Sequence, residues 1–113
     1  ALRYITEHVE RPVFYIFSDD PVFAKAQFCE ENMHVVDWNT GRESLQDMAL
    51  MSRCRHNICA NSTFSIWGAR LNRHPDKIMI RPLHHDNYEA LDAGTVHEYW
   101  KGWVLIDADG NVR

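Results

Sequence analysis

The stretch from Asp47 to Asn72, DMALMSRCRHNICANSTFSIWGARLN, decides how the rest of the chain is read. Leu45, Met48, Ala49, Leu50, Met51 and Cys54 supply the apolar side of a helix. Ser44, followed three residues later by Asp47, has the pattern of a capping box, so a helix is expected over about residues 45–55. Asn57-Ile58-Cys59-Ala60 is a short apolar run that stops at the polar Asn61-Ser62-Thr63. His56 to Ala60 therefore reads as a strand and Thr63 to Asn72 as a second amphipathic helix. A strand that passes through a Ser/Thr turn straight into a helix leaves free backbone N–H groups and the positive end of the helix dipole facing outward. That is an anion-binding geometry, and a phosphate is the expected occupant.

The same alternation extends in both directions. Residues 2–9 put Leu2, Ile5 and Val9 on one face of a short helix that Arg11-Pro12 closes. Val13-Phe14-Tyr15-Ile16-Phe17 is a continuous apolar run of β-formers, the pattern of a strand buried on both faces of a parallel sheet. Its carboxyl end carries Ser18-Asp19-Asp20, and Pro21 suits the first turn of a helix continued by Phe23, Ala24, Ala26, Gln27 and Phe28. Met33 to Asp37 is a second strand, followed by the polar loop Asn39-Thr40-Gly41-Arg42. Downstream, Ile78-Met79-Ile80 is a fourth strand stopped by Pro82. Asp86 to His97 is polar and reads as an irregular loop. Tyr99 to Asp107 is aromatic and apolar and is expected to pack back over the sheet, ahead of an Asp109-Gly110-Asn111 turn near a frayed end. Strands alternating with helices define an α/β fold with a doubly wound parallel sheet, whose ligands bind outside the carboxyl ends of strands. Both Ser18-Asp19-Asp20 and Asn61-Ser62-Thr63 stand at such ends.

Composition removes several classes. At 113 residues the chain fits one domain, and its abrupt start at Ala1-Leu2-Arg3-Tyr4, already in helical pattern, is expected of a fragment. No apolar run approaches the roughly 20 residues of a membrane span. A net charge of -4 lacks the basic footprint of a nucleic-acid binder. Three cysteines, Cys29, Cys54 and Cys59, show no C-x-x-C spacing, and the seven histidines are scattered apart from the adjacent His84-His85. Neither a disulfide framework nor a metal site is expected.

Each candidate residue carries two readings at this point. Asp47 is either the acidic third position of a capping box or a carboxylate able to accept two hydrogen bonds from the N1–H and exocyclic amine of guanine. Ser62, Thr63 and the N–H groups of Thr63, Phe64 and Ser65 either hold a diphosphate or simply cap a helix, a job Asn61 or Ser62 performs without any ligand. Asp19 and Asp20 read as metal ligands, as a phosphoacceptor pair, or as a turn in which Ser18 or Asp19 caps the next helix. A phosphoacceptor needs a further Asp at the end of the third strand, where Ala60-Asn61-Ser62 stands instead. Asn61-Ser62-Thr63 also spells a glycosylation sequon, which its place on a binding turn argues against. Gly68 reads as a close-packing position, and Phe64, Trp67 and Leu71 as core.

Two blocks together, IFSDDPVFAK at residues 16–25 and the long block at residues 47–72, resemble the alpha-1,2-fucosyltransferases, glycosyltransferase family eleven, with the likeness covering about residues 1–85. The resemblance implies a two-domain GT-B fold whose carboxyl-terminal, Rossmann-like half holds GDP-fucose. This chain looks like that half. It further implies metal-independent, inverting transfer of fucose to a galactose 2-hydroxyl of an acceptor glycan, with no separate cofactor. Ser18, Asp19, Asp47, Ser62, Thr63, Phe64 and Ser65 would line the donor site, Asp47 reading guanine. The family's basic motif, H-x-[GR]-R-x-D, belongs to the amino-terminal half and occurs nowhere in this sequence, so no catalytic residue is assigned here and that half is the expected partner. Ile66 stands where a Trp is usual and Arg70 where an aromatic is common.

Overall fold

The computed structural model describes residues 1–83 and 93–113. The chain is α/β, and its elements follow one another as α1 (Leu2–His8), β1 (Phe14–Phe17), α2 (Pro21–Gln27), β2 (Met33–Val36), a 3-10 turn (Gly41–Glu43), α3 (Ser44–Arg53), β3 (Asn57–Ile58), α4 (Thr63–Leu71), β4 (Met79–Pro82), α5 (Ala93–Tyr99) and β5 (Val104–Ile106). Two compact units result, Leu2–Asp47 and Met48–Arg113, the second together with Ala1.

In the first unit β1 and β2 pair in parallel, Phe14 opposite Met33 and Phe17 opposite Val36, with α2 as the crossover that a parallel pair requires. Ile5, Ala24 and Val36 are its buried apolar residues. Strand β1 is not buried on both faces as its sequence predicts: Phe14, Ile16 and Phe17 are half-buried and Tyr15 is 54% exposed. Helix α2 starts on Asp20, whose Oδ1 accepts from the Phe23 N–H at 3.0 Å, with Pro21 in the first turn. Lys25 near its end pairs with Asp37 just beyond β2. That ammonium holds the Asp37 carboxyl below its ordinary range, through a side-chain hydrogen bond first and charge second.

In the second unit β3, β4 and β5 form a parallel ladder in that order, Ile58 opposite Ile80 and Ile80 opposite Val104. Ile80 of the middle strand and Leu105 of β5 are each 1% exposed, and Val96 and Trp100 pack with Leu105, with Ile66, Leu83 and Trp103 around them. The chain from Tyr99 onward therefore adds a strand to the ladder rather than packing back over it. Of the expected loop over residues 86–97, residues 86–92 lie outside the described residues, while 93–97 are helical in α5. The one-turn spacing of Val96 and Trp100 on a buried face outweighs Gly94 and the polar side chains between them. The end of the chain is tied down rather than frayed. Asp107 Oδ1 accepts from the N–H groups of Asp109 and Asn111, its Oδ2 accepts from Arg113 Nε at 2.7 Å, and Val112 bridges back to Ile106.

Among the described residues neither ladder contains the reversal of strand order that marks a doubly wound sheet, and the architecture is an α/β chain with two small parallel sheets. No helix among the described residues is long and apolar enough to cross a membrane.

Candidate functional site

Helix α4 follows the carboxyl end of β3 after Cys59, Ala60, Asn61 and Ser62. Ladder bonding continues past β3 through the Cys59 N–H, which donates to Ile80 O at 2.8 Å, and the chain then turns. Ser62 is extended (φ -132°, ψ 126°) and is the N-cap, its Oγ accepting from the Ser65 N–H at 3.5 Å. The Ser65 hydroxyl points back, donating to Ser62 O at 3.0 Å and Ala60 O at 3.4 Å. Both serine hydroxyls thus brace the turn. The groups that remain for an anion are the N–H groups of Thr63 and Phe64, which a helix start leaves without an intrahelical acceptor, and the exposed Thr63 hydroxyl. An anion at such a position gains up to about 2 kcal/mol from the helix end in favourable geometry.

The expected core reading of Trp67 and Leu71 does not hold. They are 47% and 52% exposed, because α4 turns Gly68 and Ala69 inward instead. A Cβ on Gly68 would stand 2.9 Å from Met51 Cβ, so glycine is what lets α4 approach α3. Beneath the turn, Cys59 is 4% exposed and its thiol donates to Ser65 O at 3.3 Å; burial pushes the thiol up to about 11, against the Ser65 side chain and the nearby Arg81 charge, which act to lower it.

At the opposite end of this sheet, the polar residues of the block hold structure. Asn72, 3% exposed, donates from Nδ2 to Asn57 Oδ1 at 2.7 Å and Cys54 O at 2.8 Å, and accepts from the His74 N–H at 2.9 Å. Asn57 donates to Met51 O, and Lys77 donates to Ala69 O and Asn72 O. His56 Nδ1 accepts from the Ile78 N–H at 2.9 Å, and burial chiefly, with the charges of Arg55 and His74, lowers its pKa from 6.5.

Ser18, Asp19 and Asp47 belong to the other unit. The helix cap there is Asp20 and not Ser18 or Asp19, because Ser18 Oγ is occupied by the Asp20 N–H at 3.0 Å, a tight turn that leaves Asp19 exposed. The capping box at Ser44 is likewise absent. Thr40 and Gly41, the latter at φ 57°, start a single 3-10 turn, so Ser44 is already helical (φ -59°, ψ -25°) when α3 begins. Asp47 instead accepts from Asn39 Nδ2 on Oδ1 at 2.8 Å, which orients the carboxylate and leaves its second oxygen for another donor.

Arg81 is the residue that reading the sequence passes over. It lies in the central strand β4, is 1% exposed, and donates from Nη2 to Asn61 Oδ1 at 3.1 Å. A charged residue inside the apolar run Ile78 to Pro82 was the available signal.

The model of the family described as "Glycosyl transferase family 11" matches residues 1–107. The chain is 45% identical over 83 residues to the O-antigen biosynthesis glycosyltransferase WbnK of Escherichia coli, covering 73% of this chain and 28% of that protein. It is 36% identical over 112 residues to an alpha-1,2-colitosyltransferase of Escherichia coli, covering 95% and 37%. To the galactoside 2-alpha-L-fucosyltransferase SEC1 of Bos taurus it is 30% identical over 73 residues, covering 63% and 20%. The chain therefore spans well under half the length of these relatives. No solved structure matches it.

Proposed function

The chain belongs to glycosyl transferase family 11, and on that premise we propose that it is the GDP-fucose-binding part of an alpha-1,2-fucosyltransferase. In this reading it is the Rossmann-like, doubly wound carboxyl-terminal half of a GT-B enzyme that moves fucose, with inversion, to a galactose 2-hydroxyl of a glycan. The observation that carries the reading is the start of α4, where Thr63 and Phe64 present N–H groups and Thr63 a hydroxyl directly beyond the carboxyl end of a parallel strand. When the sugar departs, negative charge grows on the diphosphate of GDP. Donors already held by the Ser62 and Ser65 braces stabilise that charge without reorganising. Asp47 reads guanine, its carboxylate steadied by Asn39. Ser18 and Asp19 contribute at the nucleotide. The general base, most acceptor contacts and a basic residue on the diphosphate come from the rest of the enzyme, and this chain alone binds donor without transferring it. No metal and no separate cofactor enters the scheme.

Calorimetric titration with GDP and ADP tests the base assignment. GDP is expected to bind more tightly than ADP, and Asp47→Asn to remove the preference; equal binding of both nucleotides to the unaltered protein would overturn it. A second reading, a colitosyl donor in place of fucosyl, is favoured by the likeness to the colitosyltransferase across 95% of the chain. Transfer assays with each donor on the enzyme as the cell makes it separate the two, and donor binding without any transfer would mark a noncatalytic nucleotide-binding domain instead.

A further inference from the structure

Resting on the donor-site reading above, we propose that Arg81 is a positioning residue for the diphosphate of the donor, acting through Asn61. Burying a guanidinium in the middle strand of a sheet is costly, and an apolar side chain of similar size would fill the space at least as well. What an apolar residue cannot supply is the hydrogen bond to Asn61, the residue immediately before the Ser62 cap. The Arg81 guanidinium carbon lies 3.8 Å from the centre of the Trp100 ring, and Trp100 is itself 6% exposed and edge-on to Trp103 at 5.5 Å. The ring fixes the guanidinium plane by a cation–π contact. The guanidinium in turn places Nη2 3.1 Å from Asn61 Oδ1.

Asn61 is exposed, so its side chain is held from beneath by a buried charge. The turn is then fastened at both ends, by Arg81 through Asn61 before the cap and by the Ser65 hydroxyl after it. Between these fastenings stand the N–H groups of Thr63 and Phe64. Donors aimed at a diphosphate work best when their supporting contacts fix them in advance. Trp100 and Trp103, which the nucleotide-binding scheme leaves without a role, become the support of that fastening.

A double-mutant cycle of Arg81→Met and Asn61→Ala in the enzyme as the cell makes it tests this, read as donor KM, kcat and thermal midpoint. Each single variant is expected to raise donor KM about tenfold, the scale on which a hydrogen bond to a charged group acts. The double variant is expected to be no worse than either single one, and Arg81→Lys, which keeps charge but loses the planar fork, is expected not to rescue. Effects that multiply independently overturn the proposal. If Arg81→Met fails to fold, Asn61→Ala decides: an unchanged donor KM at a wild-type thermal midpoint overturns it, and a raised KM at that midpoint supports it. Wild-type enzyme that does not bind GDP overturns the donor-site reading instead, so the two failures are distinguishable.

Discussion

Replacing Gly68 by alanine sets two effects of opposite sign against each other. In an open helix interior, Gly→Ala gains about 1 kcal/mol from backbone entropy and propensity. At this position the new Cβ meets Met51 Cβ at 2.9 Å and Met51 Sδ at 3.0 Å. The sulfur is the flexible part of that side chain and moves at small cost, but Met51 Cβ is fixed to the backbone of α3, so the two helices must separate. Forced overpacking of this kind costs about 1–3 kcal/mol, which leaves a net loss of up to about 2 kcal/mol after the propensity gain. Urea unfolding of the wild type, Gly68→Ala, Met51→Gly, which removes the opposing Cβ, and the double variant measures it. The expected result is a lower midpoint for Gly68→Ala at unchanged slope, and a favourable coupling of at least about 0.5 kcal/mol when Met51 is truncated as well. A Gly68→Ala protein more stable than wild type, or a cost indifferent to Met51, would refute the packing argument.

Three further expectations rest on the scaffold. Asn72→Asp puts an acceptor where Asn57 Oδ1 and Cys54 O require a donor, and should destabilise by more than the about 1–3 kcal/mol of one unsatisfied buried group, as read by the same unfolding assay. His56 has a folded pKa lowered from 6.5, so the folded form binds a proton less readily than the unfolded chain. Its contribution is complete above pH 6.5 and is lost as pH falls through the folded value, when protonation removes the acceptor for Ile78. The stability difference between wild type and His56→Ala should therefore shrink from pH 7.5 to about pH 5. Thiol labelling at pH 8 should modify exposed Cys29 first and leave Cys59, buried and with its pKa near 11, silent until unfolding.

The fold was legible where local signals agree with packing. Pro12 and Ser18 bracket β1, Pro21 opens α2, and the switch from Ile58-Cys59 to Asn61-Ser62-Thr63 marks the turn into α4. Misreadings arose where one contact outweighs a pattern. Gly41 in the left-handed region moves the start of the helix ahead of Ser44 and dissolves the capping box, and Val96 with Trp100 makes a helix of a polar segment by packing with Leu105. The site was legible as a turn but not as a mechanism of support. Much of the polarity in the 47–72 block, including His56, Asn57 and Asn72, is spent tying strand to helix at the end of the sheet away from the turn. Arg81 went unnoticed because strand periodicity says nothing about which buried position receives a charge, whereas the Asn61 amide and the Trp100 ring that receive it come from distant parts of the chain.

Backbone amide shifts of isotope-labelled protein titrated with GDP test the donor-site assignment most directly. The account predicts that Thr63 and Phe64 respond most strongly, with Ser62 and Ser65 following and the Asn57–Asn72 end unmoved. GDP binding that leaves residues 62–65 undisturbed would contradict it.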